Sequence, residues 1–237
     1  MSGHSKWHNI ALKKGKTDAK RAGVFSKLTR LIVVAAREGG ADQTMNFRLR
    51  MAVDKAKEAN VPKDNIDRAI AKGSGTGEEG KLETVVYEAM GPGSTAMLVE
   101  AITDNRNRTN GQLRSLMTKI GLNPEAKVMW HFGHKGVVRS EKIDSITDWD
   151  DFELAMIEAG AEDIKRNENL EIVCAISDLQ KITEAVKSRG VEISSAELEY
   201  VAKESVSLSD TDGQKLAEAI ESIEDDDDVS AVYTNAS

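Results

Sequence analysis

One cysteine in 237 residues, Cys174, excludes an internal disulfide framework and fits a reducing compartment. It lies in the apolar run Ile172-Val173-Cys174-Ala175-Ile176, where burial as a small hydrophobe outranks nucleophilic chemistry. No stretch approaches the roughly 18 consecutive apolar residues of a membrane span, and the N-terminus lacks the apolar stretch of a secretory signal. The expected address is cytoplasmic. Aromatic residues make up only 4% of the chain, so cores must be packed by Leu, Ile, Val, Met and Ala. Catalytic groupings are missing too. No serine or cysteine comes with a convincing base, and His4/His8 and His131/His134 lack a third metal ligand nearby. The glycines of Gly73-Ser-Gly-Thr-Gly-Glu-Glu-Gly80 follow no strand and precede no Lys-Ser/Thr, which argues against a phosphate loop. No enzymatic activity, metal, cofactor, small-molecule substrate or membrane partner is expected.

Cations are scarce beyond residue 72. Met1 to Lys72 holds 16 Lys and Arg against 7 Asp and Glu, a net +9, whereas the remainder carries −17 and the whole chain −8. A basic head on an acidic body is the footprint of a protein that presents one end to a polyanion, usually nucleic acid.

Hydrophobic residues at 40% suffice for real cores. A helix is expected from Thr17 to the Gly39-Gly40 pair, with Val24, Phe25, Leu28, Leu31, Ile32 and Ala35 on one arc. Lys20, Lys27, Arg30 and Arg37 share another arc, with Val34 anomalous among them. Helices over about 46–59 and from Pro62 to Lys72-Gly73 complete a small bundle, and 73–80 reads as a linker. Strands at Glu83–Glu88 and Ala96–Ile102, a helix over Thr109–Ile120 capped by Thr109, and a strand near Val128–Phe132 follow. Residues 134–201 read as a complete β-α-β-β-α-β unit, and 203–237 add a helix over Asp212–Ile223 and a strand at Val229–Tyr233. The expected fold class is α+β multidomain: a three-helix bundle followed by two α/β domains of ferredoxin-like character, one inserted in the other. The expected domains are 1–80, 81–133 plus 202–237, and the insertion 134–201.

Two constellations carry candidate chemistry. The segment around His4, Ser5, Lys6 and Trp7, followed by Lys13, Lys14, Lys16, Lys20 and Arg21, combines flexible cations with an aromatic plate. Such cations displace counterions from phosphates while Trp7 can stack on an unpaired base. With Lys27, Arg30 and Arg37 these residues form the candidate nucleic-acid-binding set. The second constellation is Asp104-Asn-Arg-Asn-Arg-Thr-Asn110 at a strand-to-helix junction, where Arg106, Arg108 and Thr109 suit either anion binding or a tie through Asp104 and backbone carbonyls. The acidic run Glu224-Asp-Asp-Asp-Asp228 reads as a solvated turn.

Gly3-His-Ser-Lys-Trp7, Asp18-Ala-Lys-Arg21, Phe25-Ser-Lys-Leu-Thr-Arg30, Arg48-Leu-Arg50, Tyr87-Glu-Ala-Met-Gly-Pro-Gly93 and Asp104-Asn-Arg-Asn-Arg-Thr109 together resemble the YebC/PmpR family. That family includes the mitochondrial translational activator of cytochrome c oxidase subunit I. The resemblance runs from end to end and implies a basic three-helix domain, two α/β domains around a cleft, and a non-enzymatic regulator of gene expression. The stretch 121–128 is shorter and poorer in glycine than the family pattern, so no contact of that loop is carried over. Within the family two activities compete: action on the ribosome, easing synthesis through proline runs, and promoter DNA binding. The absence of a helix-turn-helix signature and the flexible tail with Trp7 favour ribosomal RNA, with promoter DNA second and a protein-binding scaffold with an acidic body more distant.

Overall fold

The structure, a computed structural model, describes residues 18–75 and 82–237. They fall into two compact units: Gly133–Val201, and the chain on either side of it up to Phe132 and from Ala202 onward.

In the first unit, helices α1 (Asp18–Gly39), α2 (Phe47–Glu58) and α3 (Lys63–Ser74) bury one shared core. Leu28, Ile32 and Ala35 of the expected stripe meet Leu49, Val53, Ala56, Ile66 and Ala69. Local chemistry fixes the corners. Gly40 takes φ +87° after α1, a conformation that glycine adopts without Cβ strain, and its N–H donates to Ala36 O. Buried Asn46 caps α2 by accepting from the Leu49 N–H at 3.0 Å, and its amide donates to Ala35 O and Gly40 O at 2.8 Å each. One side chain thereby locks the α1–α2 corner. The third helix runs past its expected end, since Gly73 lies inside it. A Cβ there would sit 2.4 Å from Val33 O, so glycine is what allows α3 to approach α1 so closely.

Val34 is 3% exposed, although helical phase puts it among the cations. The reason is a second partner: α1 also packs against β7 (Val229–Thr234), so its residues 32 to 36 are buried nearly all round. Strand β7 closes an antiparallel sheet of order β1-β2-β7 with β1 (Glu83–Met90) and β2 (Ala96–Thr103). Helices α4 (Arg106–Lys119) and α7 (Asp210–Glu224) supply Leu113, Met117, Leu216 and Ile223 to a core with Met97, Val99 and Ala101 of β2.

In the second unit, β3 (Phe132–Ser140), α5 (Trp149–Ala159), β4 (Ala161–Arg166), β5 (Leu170–Cys174), α6 (Leu179–Ser188) and β6 (Ser195–Ala202) follow in the expected order. The sheet order β4-β5-β3-β6, with β5 antiparallel to both neighbours, is that of a ferredoxin-like fold. The fold class is α+β, with the helical N-terminal part ahead of α/β architecture. Gly160 at φ +108° ends α5, as its place after the apolar stripe suggests. Cys174 is fully buried, and burial pushes its thiol up to about 11, which suits packing rather than nucleophilic chemistry.

Two further boundaries differ from expectation. The strand expected near Val128–Phe132 is a 3-10 turn at Met129–His131, with β3 starting only at Phe132. Glu88 dictates this, because its carboxylate accepts both the Val128 and Met129 N–H groups, at 2.6 and 2.8 Å, and withdraws them from strand pairing. Helix α4 begins before Thr109 and is capped by Asn105, whose side chain accepts from the Arg108 N–H at 3.1 Å.

Candidate nucleic-acid interface

His4, Ser5, Lys6, Trp7, Lys13, Lys14 and Lys16 lie outside the described residues, whereas Lys20 and Arg21 belong to α1. The rest of the cationic ridge is turned onto the chain itself. Lys27 Nζ donates to Glu224 O at the C-terminal end of α7, Arg30 reaches Asp228 and the carbonyls of Ile102 and Asp227, and Arg37 donates to Leu82 O. Helix α7 has no basic residue in its last turn, and the run 224–228 adds carboxylates at its negative pole. Cations from α1 supply the compensation. Burial lowers the Lys27 pKa, opposed by the carboxylates of Glu224, Asp226, Asp227 and Asp225.

Asp228 is the hub of this contact. Its Oδ1 accepts from Arg30 at 2.5 Å, and its Oδ2 accepts from Thr109 Oγ1 at 2.7 Å and Arg108 Nη2 at 3.0 Å. Arg108 also pairs with Asp104 at 3.0 Å, and buried Thr109 lies 2.8 Å from Thr103 Oγ1. Burial opposes ionisation of Asp228. Hydrogen bonds from Thr109, Arg108 and Arg30 outweigh it and hold the carboxyl below its usual pKa. Of the alternatives open at this junction, Arg108 and Thr109 thus make the tie, to Asp104 and Asp228.

Arg106 goes elsewhere. It lines an open cleft of about 260 Å³ between β1 and α4, together with Tyr87, Glu88, Asn110, Arg114 and Lys127. Three cations there face the single carboxylate of Glu88, whose pKa burial would raise but the Met129 and Val128 N–H groups and Lys127 hold down. Arg114 pairs with Glu125, while Arg106 has no ion-pair partner among the described residues. Tyr87 Oη is buried without a hydrogen-bond partner among them, and burial raises its pKa against the pull of Arg106. A cleft with these cations can hold an anion, the guanidinium forks of Arg106 and Arg114 and the Lys127 ammonium meeting its oxygens.

Two family descriptions match the chain in tandem, "TACO1/YebC protein N-terminal domain" over residues 5–76 and "TACO1/YebC second and third domain" over 82–236. The chain belongs to the TACO1/YebC family. It is 44% identical over 238 residues to a protein named "Probable transcriptional regulatory protein" in Caldanaerobacter subterraneus subsp. tengcongensis, with 99% of this chain and 98% of that one covered. A relative of the same name in Desulforamulus reducens shows the same identity and coverage. The crystal structure of a conserved hypothetical protein from Aquifex aeolicus is similar with a TM-score of 0.82 at 37% identity, over 95% of this chain and 93% of that one.

In this YebC-family chain two of the quoted motifs converge: Tyr87 and Glu88 enter the cleft from β1, and Arg106 enters it from α4. Sequence reading passed over Arg114, Lys127, Trp130 and Asp228. The signal for Trp130 was present, since it is one of only three tryptophans and follows Lys127 closely. For Asp228 there was none, because an acid in an acidic run does not announce which arginine it meets.

Proposed function

We propose that this protein is a non-enzymatic, cytoplasmic regulator of gene expression that binds ribosomal RNA through its basic head and eases synthesis through difficult sequences such as proline runs. The observation that carries this reading is the charge split, +9 up to Lys72 against −17 beyond. Lys27 and Arg30 hold the head to the body, so phosphate contacts fall to Lys13, Lys14, Lys16, Lys20 and Arg21, with Trp7 as a stacking plate. With about five phosphates engaged, the log–log salt slope of RNA binding is expected near −3.5 for single strands. The test is ribosome co-sedimentation and synthesis through a proline run in a reconstituted system, for the full chain and for K13Q/K14Q/K16Q. Wild type should sediment and stimulate, and the variant should fold but lose both properties. A wild-type protein that does neither hands the lead to promoter DNA, the reading supported by the name its relatives carry.

A further inference from the structure

Trp130 is 67% exposed in a chain with few aromatic residues. A large aromatic ring left in water invites a ligand only if it is held in place, and this one is. Its Nε1–H donates to Lys127 O at 3.1 Å, and its ring stacks on His131 with centroids 3.4 Å apart. The Glu88 carboxylate pins the turn beneath it through two N–H groups, and Lys203 Nζ donates to Trp130 O at 2.9 Å. The plate is therefore preorganised, with little rotamer freedom left to lose on binding.

Its neighbours select the ligand. Lys127, whose carbonyl orients the indole, also lines the cleft of Arg106 and Arg114, and its side chain is 80% exposed. A flat π-surface beside a cleft lined by Arg106, Arg114 and Lys127 matches a nucleotide: base on the plate, phosphate in the cleft. Duplex bases are already stacked on each other, so the matching ligand is single-stranded. We propose that Trp130 stacks one unpaired RNA base while the cleft of Arg106, Arg114 and Lys127 takes the adjoining phosphate. This second contact rests on the reading of the chain as an RNA-binding factor and is separate from the basic head.

The test uses the full chain with W7F/W149F, which leaves Trp130 as the sole tryptophan. A short single-stranded oligouridylate should quench its emission saturably, and a duplex of equal length should not. In the wild-type background W130A should weaken oligouridylate binding about tenfold, whereas W130F, which keeps a π-face, should stay within about threefold. R106Q should reduce the magnitude of the salt slope by about 0.7, one phosphate's worth on a single strand. Binding without quenching, equal quenching by the duplex, or full affinity in W130A would overturn the plate while leaving the head's RNA binding intact. Failure of wild type to bind any RNA would remove both. Quenching by whole ribosomes but by no oligonucleotide would also overturn it, in favour of a protein partner.

Discussion

Two ion clusters with inverted signs sit in the two units of this molecule. In the first, one carboxylate, Asp228, serves Arg30, Arg108 and Thr109; in the second, one guanidinium, Arg139, serves Glu199 and Glu171. The Arg139 cluster is local to one sheet, since β3 pairs with β5 so that Arg139 stands opposite Glu171. All three of its side chains are at most 20% exposed. The Asp228 hub instead joins elements up to 198 residues apart, and its arginines remain 28% and 43% exposed. The deeper cluster organises a sheet. The shallower one fastens the helical head to the sheet beside it, so part of the head's positive charge is structural and unavailable to a polyanion.

The comparison predicts unequal costs. Arg139→Ala leaves Glu199 buried without its cation and Glu171 with only Lys165, 3.4 Å away, and should lose about 3 kcal/mol. Urea unfolding in a W7F/W130F background, where Trp149 is the sole tryptophan and reports the second unit, measures it. Asp228→Ala leaves two arginines that water can still reach, so its loss should be smaller, about 2 kcal/mol. Equal losses would mean that burial is not what separates the two clusters.

Acid sharpens the contrast further. The Asp228 carboxyl is held below its ordinary value, so its contribution is fully present above about pH 4, the unfolded value, and disappears as pH falls through the folded one. Asp228→Asn should therefore be less stable than wild type by a constant margin from pH 5 to 7, with the gap narrowing below pH 4. A gap that does not change between pH 7 and pH 3 would show that the hub is held by shape rather than by ionisation.

What could be read from the sequence was what is local or periodic. The α1 stripe, the stop at Gly39-Gly40, the left-handed Gly160 and the β-α-β-β-α-β order all follow from spacing within a few turns. What could not be read depends on partners far along the chain. Val34 is buried because β7 packs on α1, the Val128–Phe132 strand is lost because Glu88, 40 residues earlier, takes its N–H groups, and Gly73 belongs to a helix contact rather than to a linker. The same limit applies to the candidate interface. Helical phase groups Lys27, Arg30 and Arg37 as one cationic ridge, but it carries no information about Glu224, Asp228 and Leu82, which receive them.

The smallest expected effect is the sharpest test of that division of charge. Lys27 donates to Glu224 O, but burial also penalises its ammonium, so the gain and the cost offset each other. Lys27→Gln should change stability by less than about 1 kcal/mol, in either direction, since the amide can still donate to a carbonyl. On RNA binding the prediction is stricter. A lysine that binds phosphate adds about 0.7 to the magnitude of the single-strand salt slope, so Lys13→Gln should lower it by that much and Lys27→Gln should leave it unchanged. Measuring the slope for both variants against wild type over one salt range decides the matter. An equal drop in both would mean that Lys27 leaves Glu224 when RNA arrives, and that the contact between head and body opens on binding rather than holding the head in place.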